Sequence, residues 1–184
     1  MEEKTGWDLA REAAKTERDE KIFQSKLRRG REAVSVATTK LEGLGFTITN
    51  ISNDMLPDPN HQDKEFLSPF DLLATRGLPN TAYIIDVKLR THYDDAEEDY
   101  WVTKTQLLKW QSYITASTKI LLFVTAHRSI FQSPKPVHLT SPDARITYKY
   151  ILVSMIEKVA VKKISTSITL HIKNKDTNEL DLLS

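Results

Sequence analysis

Phe70-Asp71-Leu72-Leu73-Ala74 and Ala82-Tyr83-Ile84-Ile85-Asp86-Val87-Lys88-Leu89 stand on either side of Thr75-Arg76-Gly77-Leu78-Pro79-Asn80-Thr81. Two apolar runs separated by Gly and Pro predict an antiparallel hairpin, because glycine tolerates left-handed backbone and proline presets a turn. Symmetric pairing about the Leu78–Pro79 bond sets Asp71 directly opposite Asp86. Directly opposed residues share a face, with Cβ atoms about 4.5–5.5 Å apart. Lys88 follows Asp86 by one period of the strand and returns to that face. Asp and Lys are poor strand formers, and burying them costs several kcal/mol each unless they are paired or bound to a cation. Two facing carboxylates also repel unless something positive lies between them. A divalent cation is the simplest candidate, with a plain Asp–Lys ion pair at a strand end as the alternative. Hard oxygen ligands with a nearby ammonium suit metal-assisted phosphodiester hydrolysis.

Outward from the hairpin, Trp7 to about Leu27 reads as an amphipathic helix with a thin apolar face. Gly30 is expected to interrupt it, and Glu32 to Leu44 carries Val34, Ala37, Leu41 and Leu44 at helical spacing, with Gly45 as the stop. Phe46 to Ile51 alternates as a half-buried strand, and the Pro-, Asn- and Asp-rich stretch 52–64 reads as loop. Helix is expected again from Thr103 to Tyr113, and strands over Ile120–Val124, Ile146–Val153 and Ile168–Ile172. The fold class is therefore α/β (α+β), a mixed central sheet flanked by helices, with 1–29 as a helical arm and 30–184 as the main domain carrying a C-terminal strand extension.

The 184 residues, 40% hydrophobic and 28% charged, suit one principal core. With no cysteine, thiolate zinc sites, disulfides and cysteine nucleophiles are excluded. His61, His92, His127, His138 and His171 show no spacing that pairs two ligands on one helical face, so zinc is unsupported. No apolar run is long enough to span a bilayer and the Met1-Glu2-Glu3-Lys4 start lacks a signal pattern, so a cytoplasmic protein is expected. The net charge of +1 hides an acidic run, Asp94-Asp95-Ala96-Glu97-Glu98-Asp99, and a basic C-terminal part. The acidic run reads either as a solvated loop or as a lid over the metal site. Tyr100 and Trp101 beside it read either as core packing or as platforms for unpaired bases.

Ser68-Pro69-Phe70-Asp71 followed by Asp86-Val87-Lys88 resembles the signature of the PD-(D/E)XK nucleases, and the flanking elements resemble the Holliday-junction resolvase and phage or mobile-element branches, over about residues 28 to 125. The resemblance implies a restriction-endonuclease-like core and a Mg²⁺-dependent (or Mn²⁺-dependent) endonuclease or exonuclease acting on DNA, with Asp71 and Asp86 as metal ligands and Lys88 orienting or activating water. Arg29-Gly30-Arg31-Glu32 resembles the start of the family's first core helix, which makes Glu32 a further ligand; read by itself, Glu32 is an ordinary first-turn acid. Thr103-Lys104-Thr105-Gln106 resembles the segment that carries a glutamine in many members, which makes Gln106 a site candidate; read by itself, it is an exposed helix residue. Phe70 separates the proline from Asp71. A literal Pro57-Asp58 competes, but Pro59 follows it and cannot donate to a ladder, so Asp71 is preferred. Arg28, Arg29, Arg31 and Lys104 are candidate phosphate contacts, and the resemblance with the helical arm points to a homodimer. The alternative function is a catalytically inactive nucleic-acid-binding or interaction module on the same fold.

Overall fold

The structure is a computed structural model that describes residues 6–51, 70–77, 81–93, 99–112, 118–128, 138–141, 144–164 and 168–183. Pro57-Asp58, Ser68-Pro69, His61, Tyr113, the turn centre Leu78-Pro79-Asn80 and the acidic run apart from Asp99 lie outside the described residues.

The chain opens with one helix, α1 (Gly6–Gly43), of 38 residues, about 57 Å long. The expected interruption at Gly30 does not occur. A Cβ added at Gly30 would meet nothing within 4 Å, so the glycine lies on an open face where it weakens the helix without a steric reason to break it. Charged and long side chains on both sides carry the helix across. Residues 15–24 are exposed, Ile22 and Phe23 included, and contact with the core is carried by Ala33, Ala37 and Leu41, spaced one helical turn apart. The end of α1 is as expected. Gly45 adopts a φ of 84°, the Phe46 N–H donates to the Leu41 carbonyl and the Gly45 N–H to that of Glu42. This is the paired bonding of a Schellman cap, and Leu41 and Phe46 join the same core cluster across it.

A six-stranded sheet follows in the order β1-β2-β3-β5-β6-β9. Its strands are β1 (Thr47–Asn50), β2 (Leu72–Arg76), β3 (Thr81–Tyr93), β5 (Thr118–Arg128), β6 (Ile146–Leu152) and β9 (Asn178–Glu179). β3 and β5 run parallel and the other neighbours antiparallel, which makes the sheet mixed. Parallel strands covered on both faces read as unbroken apolar runs, and Ile120 to Val124 are buried throughout. A second sheet, β4 (Asp99–Thr103), β8 (Ile168–Lys173) and β7 (Val161–Ile164) in that order, was not expected beyond its β8 strand. Two helices, α2 (Lys104–Ser112) and α3 (Val153–Val159), accompany it.

Two clusters divide the core by face. Leu72, Ala74, Ile85, Val87, Leu122 and Val124 pack with α1. Ile84, Leu121 and Phe123 face the other way, toward Tyr100 and Val102 of β4, Leu107 and Trp110 of α2, Ile156 of α3 and Ile172 of β8. The molecule is thus three layers: α1, the main sheet, and a layer built from the small sheet with α2 and α3. No helix among the described residues is long and apolar enough to cross a membrane.

Two glycines test this account. Gly30→Ala should raise stability by about 0.5–1 kcal/mol, the helix-interior difference between these residues. Gly77→Ala should lower it by about 1–2 kcal/mol, because Gly77 holds a φ of 74° that a Cβ disfavours. Urea denaturation followed by circular dichroism would show opposite signs for the two.

Candidate active site

The pairing of β2 with β3 sets the site. Leu72 pairs with Ile85, Leu73 with Ile84, and Arg76 with Thr81, the register expected from the sequence. The Asp71 N–H donates to the Ile85 carbonyl at 2.8 Å, the residue that Leu72 already faces, so the expected direct pairing of Asp71 with Asp86 gives way to a bend at Asp71 that leaves its charge close enough to act on the Asp86 carboxyl. One step further the strands part. The Val87 N–H, which a continuing strand would have bonded, donates instead to Oδ2 of Asp71 at 2.6 Å. A side-chain carboxylate therefore finishes the ladder, which fixes it against the face that Asp86 presents.

Asp86 sits in the middle of β3, between β2 and β5, and only 4% of its surface is exposed. Lys88 Nζ lies 2.7 Å from Oδ2 and donates a hydrogen bond to Oδ1 at 3.1 Å. The closer contact has no hydrogen-bonding geometry, so Oδ2 remains without a hydrogen bond among the described residues. Burial pushes the Asp86 carboxyl up to about 7; the charge of Asp71 adds to the rise, while Lys88 and Arg90 oppose it. Lys88 in turn lies over the Trp110 ring of α2, 5.6 Å from its centroid, a cation–π contact that limits where the ammonium can swing.

The next residue on this face, Arg90, was not singled out by the sequence reading, although the same period of two leads to it. Its guanidinium donates to the carbonyls of Leu89 and Trp101 and lies 4.6 Å from the centroid of the Trp101 ring. Burial lowers its pKa, with the charges of Asp86 and Tyr100 acting the other way.

The other candidates are placed elsewhere. Glu32 lies on α1 beside Ala33, on the opposite face of the sheet from Asp86, and its Oε1 accepts from the Leu139 N–H at 2.8 Å. Gln106 is on the Asp86 side of the sheet, in the first turn of α2, but its amide oxygen accepts from both N–H and Oγ1 of Thr103 while its own N–H donates to that Oγ1. Thr103-Lys104-Thr105-Gln106 is a capping box, a pattern legible in the sequence. Lys104 is the first residue of α2. Arg28 and Arg31 are exposed on α1, and Arg29 is tied to Oγ1 of Thr91 at 3.1 Å. Tyr100 is fully buried and stacks on Phe123 with ring centroids 4.0 Å apart, which settles its role as core packing.

The chain course is similar to that of an archaeal resolvase. The solved structure of Hjc, a Holliday junction resolvase from the archaeal hyperthermophile Archaeoglobus fulgidus, matches 84% of this chain and 94% of its own with a TM-score of 0.45 and 11% sequence identity. At that level the likeness says nothing of chemistry. No family model matches the sequence, and no curated protein does.

The donor set fits a weakly held hard cation. Asp86 has a buried oxygen that accepts no hydrogen bond and lies in ion-pair contact with Lys88, the Asp71 carboxylate is close enough to raise its pKa, and Mg²⁺ commonly takes one or two carboxylates and completes its shell with water and phosphate oxygens. No group of three or more His, Cys, Asp or Glu that could hold a metal ion occurs among the described residues.

The position of Asp86 has a measurable consequence. An acid whose folded pKa lies above its unfolded one holds its proton more tightly when folded. Its stabilising contribution is complete below about pH 4, the unfolded value, and is lost as pH rises through about 7. In EDTA, the protein should therefore lose on the order of 3 kcal/mol between these limits relative to Asp86→Asn, which has no proton to release. Urea melts of both proteins across that pH window measure the difference; parallel profiles would contradict the burial of a titrating carboxyl.

Proposed function

We propose that the chain is a metal-dependent phosphodiesterase acting on DNA, with Asp71, Asp86 and Lys88 as its reacting constellation. The observation that carries this reading is the convergence of two carboxylates and an ammonium at one place on β3, with Asp86 buried and ion-paired to Lys88. Asp71 and Asp86 would hold a Mg²⁺ or Mn²⁺ ion. When bound, such an ion supplies Lewis-acid polarisation of a phosphoryl oxygen and a more acidic water.

The remaining work falls to the chain itself. Asp71 is held by the Val87 amide through Oδ2, which fixes the orientation of its carboxylate near Asp86. Asp86 must give up its proton to act as a ligand, and the nearby Lys88 ammonium favours that form. Lys88, limited by Trp110, stands where it can donate to the attacking water or to a phosphate oxygen as negative charge develops, an interaction stronger in the transition state than before it. Arg28, Arg31 and Lys104 are proposed phosphate contacts and would act on affinity rather than on rate. Glu32 is left outside the minimal ligand set, because its carboxylate already satisfies the Leu139 amide.

A second reading has one specific observation in its favour. Glu32 and Gln106 are both engaged in structural hydrogen bonds, as an inactive nucleic-acid-binding module on this fold would allow. Catalysis decides between them. With labelled linear, branched and single-stranded DNA, cleavage should require Mg²⁺ or Mn²⁺ and stop in EDTA. Lys88→Ala, once shown to be folded, should lower the single-turnover rate by on the order of 10²-fold or more with little change in substrate affinity. Cleavage by Lys88→Ala at the parental rate would remove the catalytic assignment, and metal-independent DNA binding without cleavage would favour the second reading.

A further inference from the structure

β4 is an edge strand of the small sheet, and Trp101 on it faces away from the core that holds Tyr100 and Val102. Trp101 is 49% exposed, which leaves a large part of its π-surface open to solvent. Its row across the sheet runs through His171 of β8 to Val161 of β7, and Val161 is exposed as well.

Behind the indole stands Arg90. Its guanidinium reaches past the β4 edge, bonds the Trp101 carbonyl at 2.8 Å and lies over the ring at 4.6 Å, with Phe123 5.9 Å from it on the inner side. The indole is thereby held in place by a cation on one face while much of it stays open to solvent. Arg90 belongs to the strand face of Asp86 and Lys88, and lies about 13 Å along the extended strand from Asp86. The indole thus sits a few nucleotides' reach from the carboxylates.

We infer that Trp101, braced by Arg90, is a stacking platform for an unpaired nucleobase of the DNA strand engaged at Asp71, Asp86 and Lys88. Any base offers a π-face to an indole, so the contact selects unpaired nucleotides rather than a sequence. The guanidinium behind the ring adds positive potential that favours the neighbouring phosphates. A base-paired duplex has its faces occupied by its own stack and cannot use the platform without disruption. This inference rests on the nuclease reading for the identity of its ligand, but its test does not depend on cleavage.

Binding would be measured by fluorescence anisotropy in EDTA, with the full chain and three fluorescein-labelled probes: a mixed-sequence single strand, the same strand carrying consecutive abasic sites, and a blunt duplex. Trp101→Leu should weaken binding to the single strand by roughly 5- to 100-fold. It should leave the abasic strand and the duplex within about 2-fold of the parent protein. Trp101→Tyr, which keeps an aromatic face, should restore most of the loss. Equal binding of the normal and abasic strands by the parent protein would overturn the inference, as would a uniform loss across all three probes in a folded Trp101→Leu. If Trp101→Leu fails to fold, the contrast between normal and abasic strands in the parent and Trp101→Tyr decides. Metal-dependent cleavage with no abasic effect would sink the platform alone; an abasic effect without cleavage would sink the catalytic reading alone.

Discussion

A carboxylate in the middle of a central strand is the constraint around which this fold is arranged. Asp86 has strands on both sides and packed side chains above it, so water contributes little to its solvation, and the compensation must come from the protein. Lys88 supplies it from the same strand and Trp110 holds Lys88 from α2, while Asp71, just ahead of β2, adds a like charge that works against it. Each of these contacts depends on one pairing register. The register that turns Ile85 and Val87 toward α1 necessarily turns Asp86 and Lys88 the other way, and a slip by one residue would exchange the two sets. Core formation and site formation are consequently the same event in β2 and β3, and a substitution that loosens the hairpin would disturb both.

The parts of the structure that follow from short-range rules were legible in the sequence. Gly45 ends α1 because only glycine accepts that backbone conformation cheaply, and the Gly77 turn sets the register of the hairpin from Leu72–Ile85 to Arg76–Thr81, whereas the bend at Asp71 that ends it was not legible. The unbroken apolar run at Ile120 marks the strand covered on both faces. What escaped was decided by longer-range effects. Gly30 costs a helix too little to end it when the residues on both sides are good helix formers. β4 was hidden beside the acidic run, and α3 by the apolar run that it shares with the end of β6. β7 was obscured because Lys162 and Lys163 make it look like a basic surface segment. Glu32 illustrates a different limit: spacing along a helix says which residues share a face of that helix, but not on which side of a sheet the helix will lie. Gln106 could have been read correctly from local pattern alone, since a threonine three residues before a glutamine at a helix start is a capping box.

That capping box has a bearing on the cations of β3. It rigidly joins β4 to α2, making residues 99–112 a single unit with Trp101 near one end and Trp110 near the other. Lys88 lies against the second indole and Arg90 against the first, so neighbouring positive charges on one strand are each held by the same external segment. A displacement of that unit would release or reorient both together, giving the ammonium beside Asp86 and the guanidinium beneath Trp101 a common mechanical fate. Were the segment to move as one body, a ligand that steadied Trp101 would also steady the electrostatics around Asp86, and the effect would be reciprocal.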